Sequence, residues 1–374
     1  MSEQGNKRSE PSRQTVEAEL AEHFGREHAV LVGRATTGLT LLFESLDISG
    51  EVVYPAYMCP SPVYAALYAD ATPRFCDVKA DYTMDPVSLK TVVSEDTEAI
   101  VPVHMFGHPA QMDEIETIAA EHDVVVVEDA CQSIGSLPNG DPLGSRGDVS
   151  VVSFGNGKPI DAGSGGAVLT DDQQLATAVR ELEHEVPVRD AKRLEKLYER
   201  YKNIYYAIED AQEITNAASQ LFEPIPNVFR ELYMRGTSDT LPERVQGALA
   251  TVDEEISARE TNAVVYSSML NHSSILHPDP QTGTVYYRYS IRLPSEKIRD
   301  DIVAYLRERD IHVSTLYDTI HRRFGSEADI LTAQRLSRKT LNLWVSSDVD
   351  EEYAIRCCET VRSALKEYDS NVES

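Results

Sequence analysis

Residues 123–129 read DVVVVED. Four β-branched residues in succession suit a strand buried on both faces, because a strand with one wet face alternates apolar and polar positions. Outward from this run the same grammar repeats. Downstream come DVSVVSFG at 148–155 and GAVLTDD at 166–172; upstream come AIVPVHMFG at 99–107, EVVYPAY at 51–57 and AVLVG at 29–33. Helical stretches fall between them: TTGLTLLFESL at 36–46, SPVYAALYAD at 61–70 and MDEIETIAAEH at 112–122. Short apolar strands alternating with helices predict an α/β fold with a mostly parallel sheet between helices.

The flanks read differently. Residues 1–14 form a polar, disordered lead, and TVEAELAEHFG predicts a first helix ending near Gly25. From about Asp171 to Val252 the chain is helical and charged, densest in RDAKRLEKLYERYKNIYYAIEDAQEI at 189–214, with no strand pattern; its tyrosines read as packing or subunit-contact residues. Beyond it, a helix over 242–270, strands in YYRYSIRLP at 286–294 and HVSTLYD at 312–318, and helices over 295–310 and 351–368 predict a compact α+β unit. The expected division is a large domain over 15–250, with an atypical helical insert at 183–240, and a small C-terminal domain over 251–374.

Composition narrows the function. Asp plus Glu total 62 against 35 Lys plus Arg, a net charge of -27 spread through runs such as DEEIS, SEDTE and DVDEE. That field repels nucleic acid and anionic membrane surfaces. It suits the hydrated surface of an acidic, halophilic protein, with the solvated face of a mesophile as the plainer alternative. The five cysteines (Cys59, Cys76, Cys131, Cys357, Cys358) are odd in number and lack CxxC spacing, so neither a disulfide framework nor a zinc site is expected. With a polar N-terminus and no apolar run of membrane-spanning length, a cytoplasmic location is expected.

In an open parallel sheet, ligands bind beyond the carboxyl ends of the strands. After VSVVSF comes Lys158, in a loop with Gly155, Gly157, Gly163, Gly165 and Gly166, where backbone can approach a ligand closely. A Walker loop would need glycine where Val152 stands and Ser or Thr where Pro159 stands, and a dinucleotide fingerprint would need glycine in place of Ile160. An amine available for Schiff-base chemistry remains, with a surface lysine in a flexible loop as the alternative. After the valine strand comes Asp129. Burial there requires a paired charge, such as a protonated pyridine nitrogen; a helix cap is its other ordinary role. After the first strand, Thr36 and Thr37 in GRATTG open a helix whose amides and dipole favour a phosphate, or serve as plain capping residues. Ser153 can add a hydroxyl to the same phosphate or bond to backbone. His104 and His108 are four apart, but Gly107 and Pro109 break any helix between them, so no metal site is expected and a structural or substrate-side role is favoured.

Together VGRATTGLTLL, EVVYPAY, IVPVHMFGHPAQMDEIETIAAEHDVVVVEDACQSIGS and GDVSVVSFGNGKPIDAGSGGAVLT resemble the DegT/DnrJ/EryC1/StrS family, sugar aminotransferases of pyridoxal phosphate fold type I. The resemblance runs from about Val30 to Asp171 and from about Gln246 onward. It implies pyridoxal 5'-phosphate held as an internal aldimine on Lys158, with Asp129 on the pyridine nitrogen, Gln132 on the ring hydroxyl, and Thr36, Thr37 and Ser153 on the phosphate. It implies a ping-pong cycle in which glutamate donates an amino group, Lys158 moves the Cα proton, and the keto group of a nucleotide-linked sugar accepts, for glycan or secondary-metabolite synthesis. It also implies a homodimer with shared active sites. Cys59 stands where the family stacks an aromatic on the cofactor ring, and the asparagine that members supply across the interface has Asp239 as its nearest counterpart. Relatives with histidine in place of the lysine are sugar dehydratases, and Lys158 argues against that branch. Two other readings are a pyridoxal phosphate enzyme acting on a non-sugar ketone, and a non-catalytic scaffold or regulator on this fold.

Overall fold

Two sheets organise the chain in the computed structural model, which describes residues 11–212, 225–279 and 282–372. Most of the expected disordered lead, residues 1–10, and residues 213–224 of the expected insert lie outside the described residues. The larger sheet contains β1 (His28–Val32), β2 (Glu51–Pro55), β3 (Thr72–Cys76), β4 (Thr97–Ile100), β5 (Val125–Asp129), β6 (Val149–Ser153) and β7 (Gly166–Thr170), in the order β1-β7-β6-β5-β4-β2-β3. Strands β3, β2, β4, β5 and β6 are mutually parallel. β7 runs antiparallel to both β6 and β1. The two reversals cancel, so β1 points the same way as the parallel strands. The carboxyl ends of β1, β2, β4, β5 and β6 therefore share one edge, where a ligand site is expected.

Local sequence explains the elements. In β5 the run Val126, Val127, Glu128, Asp129 is buried at every position, as a strand covered on both faces requires. Helix α1 (Arg13–Phe24) starts where the Ser12 hydroxyl accepts the Thr15 amide and stops at Gly25, with φ +67°. It begins two residues before the boundary expected for the lead. Helices α2 (Ala35–Ser45), α3 (Ser61–Tyr68), α4 (Pro86–Val92), α5 (Met112–His122) and α6 (Gln173–Glu185) pack beside the sheet, and α7 (Ala191–Gln212) follows. Strand β3 and helix α4 have no counterpart in the sequence reading. β3 is an edge strand whose Pro73 lacks an amide and whose first half is exposed, so neither periodicity nor burial advertises it.

The smaller sheet is antiparallel, with β8 (Tyr289–Arg292), β9 (Val313–Ser314) and β10 (Thr340–Leu343) in the order β8-β10-β9. Helices Val252–Met269, Glu296–Arg307 and Glu351–Val372 surround it, burying Ile291, Leu341, Leu343, Leu306, Val361 and Leu365 in a second core. β10 and the helix Leu331–Lys339 before it were not expected. The intervening stretch returns to the large sheet: Ile320, Ile330 and Leu336 join its core, and both Asp77 carboxylate oxygens accept amides at 2.8 Å, from Thr332 and Ala333. That carboxylate caps the helix from a position more than 250 residues away in sequence. No helix among the described residues is long and apolar enough to cross a membrane.

The two histidines of HMFGH settle into structural positions. His104 Nδ1 accepts the Ala110 amide at 2.9 Å, which leaves the proton on Nε2 to donate to Glu128 at 2.7 Å. His108 is fully buried, packed on Tyr82 and Tyr286, and neither ring nitrogen has a partner among the described residues. Burial pushes its imidazole down to about 4. An unfolded histidine takes up its proton near pH 6.5, so stability present above that value is lost as the pH falls toward 4. The expected loss is about 3 kcal/mol. Denaturant melts between pH 7 and 4 will show it in the wild type and a smaller loss in His108→Phe.

Candidate active site

The carboxyl edge gathers most of the expected residues. Gly33–Thr37 follow β1, Cys59 follows β2, Phe106 follows β4, Gln132 follows Asp129 at the end of β5, and Ser153 ends β6 ahead of Lys158. Asp239 is exposed just before the helix Leu241–Leu249.

The lysine loop is held from three sides. The Asp161 carboxylate accepts the amides of Gly157 at 2.6 Å and Gly163 at 2.7 Å. Gly157 has φ +77°, a conformation costly for any residue with a Cβ. Its carbonyl accepts Arg259 Nη2 at 2.8 Å. Arg259 is fully buried, ion-paired with Glu255 at 2.7 Å, and its Nη1 also donates to the carbonyls of Tyr286 and Tyr287. One side chain thus ties the lysine loop to the segment leading into β8. The Lys158 amine rests over the Tyr287 ring, 4.1 Å from its centroid.

Asp129 ends β5, the strand next to β6 in the sheet. It is 3% exposed, and its Oδ1 accepts the Cys131 amide at 2.9 Å. Burial raises its pKa; the Cys131 amide, Lys158 and His104 counteract that only in part. Its charge thus lacks a full counter-ion. Beside it, Gln132 Oε1 accepts the Phe106 amide at 3.1 Å, which leaves the Gln132 amide group to donate elsewhere. A cofactor with a basic ring nitrogen and an aldehyde fits these groups: the nitrogen supplies the cation Asp129 lacks, and the aldehyde meets the Lys158 amine.

The hydroxyls expected to hold a phosphate are differently engaged. Thr37 is fully buried, and its hydroxyl donates to the Tyr233 carbonyl at 2.8 Å while accepting the Arg235 amide at 3.0 Å. It works as a latch for the 233–235 backbone. A Cβ on Gly33 would collide with the carbonyl oxygens of Arg235 and Gly236, so the same segment presses on the start of α2. Ser153 Oγ accepts the Gly155 amide at 3.3 Å, and the Thr36 hydroxyl makes no hydrogen bond among the described residues. The Cys59 thiol donates to Ser61 Oγ at 3.3 Å. Near it stands an aromatic wall in which the Tyr233 ring meets Tyr64 at 4.8 Å and Tyr201 at 6.0 Å. Tyr201 lies on α7, so the described part of the insert braces this wall.

A mostly parallel sheet with a lysine and a buried aspartate on its carboxyl edge, capped by a small antiparallel sheet, is the architecture of fold type I aminotransferases. DesV of S. venezuelae, solved in complex with a ketimine intermediate, superposes with a TM-score of 0.76 at 26% identity, over 96% of this chain and 91% of DesV. The chain belongs to the DegT/DnrJ/EryC1/StrS aminotransferase family, whose model matches residues 2–205 and 245–362. It is 27% identical over 373 residues to dTDP-3-amino-3,4,6-trideoxy-alpha-D-glucose transaminase of Streptomyces venezuelae, covering 96% of this chain and 88% of that one. UDP-N-acetyl-3-dehydro-alpha-D-glucosamine 3-aminotransferase of Acidithiobacillus ferrooxidans is 37% identical over 171 residues, 45% of this chain and 46% of the relative. That match spans about half of each protein.

Asp161, Arg259, Tyr287 and Tyr233 belong to this site and were not singled out from sequence. Only Asp161 carried a local signal, an acid within the glycine-rich loop. Removing the Thr37 latch leaves a buried amide and carbonyl unpaired, at a cost of about 1–3 kcal/mol. Thr37→Val is expected to lower stability by that amount in chemical denaturation while preserving cofactor affinity.

Proposed function

We propose that this protein moves an amino group from an amino acid, glutamate being the expected donor, to the keto group of a nucleotide-linked sugar, with pyridoxal 5'-phosphate as cofactor. The observation that carries the reading is that buried Asp129, at the end of β5, and Lys158, in the loop after the neighbouring β6, share one sheet edge. The two relatives above act on dTDP- and UDP-linked amino sugars, which supports the acceptor class. We place the reaction in glycan or secondary-metabolite synthesis, in a cytoplasmic homodimer that shares its active sites.

Each residue has a task. When bound, the cofactor supplies an electron sink for the Cα carbanion. Lys158 anchors it and then carries a proton to and from the substrate carbon. Asp129 holds a positive charge on the ring nitrogen, and Gln132 directs its free amide toward the ring's oxygen substituent. Ser153 and Thr36, beside the N-terminus of α2, bind the phosphate with the help of the helix amides. Cys59 would lie against the ring of a bound cofactor in place of a larger aromatic.

The full chain reconstituted with the cofactor is expected to show a visible absorption band that borohydride abolishes and that Lys158→Ala lacks. A colourless protein whose spectrum pyridoxal phosphate leaves unchanged would end this reading. Asp129→Asn should keep the band yet lower the rate of amino-donor half-reaction by roughly 10–100-fold, the worth of one charge-assisted hydrogen bond.

A further inference from the structure

Tyr287 touches Lys158 directly, and none of the tasks above uses it. The Lys158 Nζ lies 4.1 Å from the centroid of the Tyr287 ring. No hydrogen bond or ion pair engages that amine among the described residues. The ring face is therefore what its charge rests on. The ring itself is fixed. Tyr287 is 8% exposed, its amide donates to the Phe106 carbonyl at 2.9 Å, and its carbonyl accepts Arg288 Nη1 at 2.8 Å and Arg259 Nη1 at 3.3 Å. The Arg288 guanidinium also packs against the ring, 4.3 Å from its centroid. A side chain anchored in this way is a rigid support rather than a passing neighbour.

A lysine amine needs such a support whenever it is not bonded. Its four-carbon stem has many rotamers, and at half-buried Lys158 water competes for the ammonium. The negative face of an aromatic ring attracts a cation and so selects one placement among these. It also releases it readily. A carboxylate in the same position would clamp the ammonium in a charge-assisted hydrogen bond that each turnover has to break.

We propose that Tyr287 is a positioning residue for proton transfer, its ring face holding the Lys158 ammonium at the carboxyl edge during the part of the reaction in which that amine is free. This rests on the aminotransferase reading. The sign of the effect separates it from a merely structural role. An ammonium is a compact full charge, whereas charge on a nitrogen bonded to the cofactor is spread over the cofactor's ring system, so the Tyr287 face favours the free form. Weakening that face leaves cofactor affinity unchanged or tighter, while it slows the step that needs a placed ammonium. A residue that only props the fold would weaken both together.

In the full chain, phenylalanines with an increasing number of ring fluorines at position 287 keep the shape of the ring while draining its negative face. Tyr287→Phe, which loses only the hydroxyl, is their reference. Loaded with pyridoxal phosphate, the series should retain the visible band and the cofactor affinity of the reference. Its limiting rate in the L-glutamate half-reaction should fall progressively, reaching roughly 3–30-fold, the worth of one cation–π contact, with a smaller change in half-saturation. Tyr287→Leu should show the full loss. The second readout needs no cofactor. With lysine labelled at Cε, the cofactor-free protein should give a resonance shifted upfield by the ring, absent in Lys158→Ala and Tyr287→Leu and retained in Tyr287→Phe. A limiting rate indifferent to fluorination overturns the proposal. So does a loss of rate matched by a loss of cofactor affinity, or the lack of any shifted lysine resonance, and each of these leaves the aminotransferase reading standing. A wild type that never gains the visible band ends that reading and this proposal with it.

Discussion

Asp129 ends the central parallel strand with its carboxylate out of water and Cys131 as its hydrogen-bond partner. Moving an ionised carboxylate from water into such surroundings costs several kcal/mol unless charge and hydrogen bonds replace what the water gave. The next residue inward shows the alternative. Glu128 is fully buried but takes hydrogen bonds at 2.7 Å from the Gly144 and Arg146 amides and meets His104 Nε2 at the same distance. Neighbouring acids on one strand, facing opposite sides of the sheet, thus have opposite fates. One is saturated by the fold, and the other is left wanting a cation. The surrounding architecture is arranged around that want: the Lys158 loop on β6, the turn at Phe106 after β4, and Tyr287 ahead of β8.

The sheet topology makes that arrangement possible. Were β7 parallel to β6, and antiparallel only to β1, the first strand would run against the rest and α2 would open on the far edge. Two successive antiparallel pairings return β1 to the common direction. The N-terminus of α2 then shares an edge with Asp129 and Lys158. Gly38 of that helix lets it lie close to the sheet, since a Cβ there would touch Val168 and Val32 at 3.0 and 3.1 Å.

Much of this was legible because it is local. A four-valine run, glycine clusters and strand–helix alternation depend on neighbours in sequence, and they identified the sheet, the edge and the lysine. What escaped depends on distant partners. Arg259 reaches Gly157 across 102 residues, and on its helix it reads as an ordinary charged position. Tyr287 and Arg288 read as residues leading into a strand until the small sheet docks. Thr37 was legible as a residue at a helix start, but not as a latch, since the carbonyl it serves lies 196 residues on. The strand β10 holds four residues, too few for a period to declare itself.

Tyr287 shows why the two sheets form one site. Its amide donates to the Phe106 carbonyl at 2.9 Å, its carbonyl accepts from Arg259 and Arg288, and its ring supports the Lys158 amine. Phe106 has φ +57°, a left-handed conformation costing a bulky residue about 1–3 kcal/mol, so it persists only where its surroundings hold it. Gln132 holds its amide from the large sheet and Tyr287 holds its carbonyl from the approach to the small one. The strained turn is therefore stable only when both sides are assembled. Lys158 rests on a ring whose position depends on the same turn. Docking of the small sheet and presentation of the amine are consequently one event, and a substitution anywhere along Gln132, Phe106 and Tyr287 acts on both.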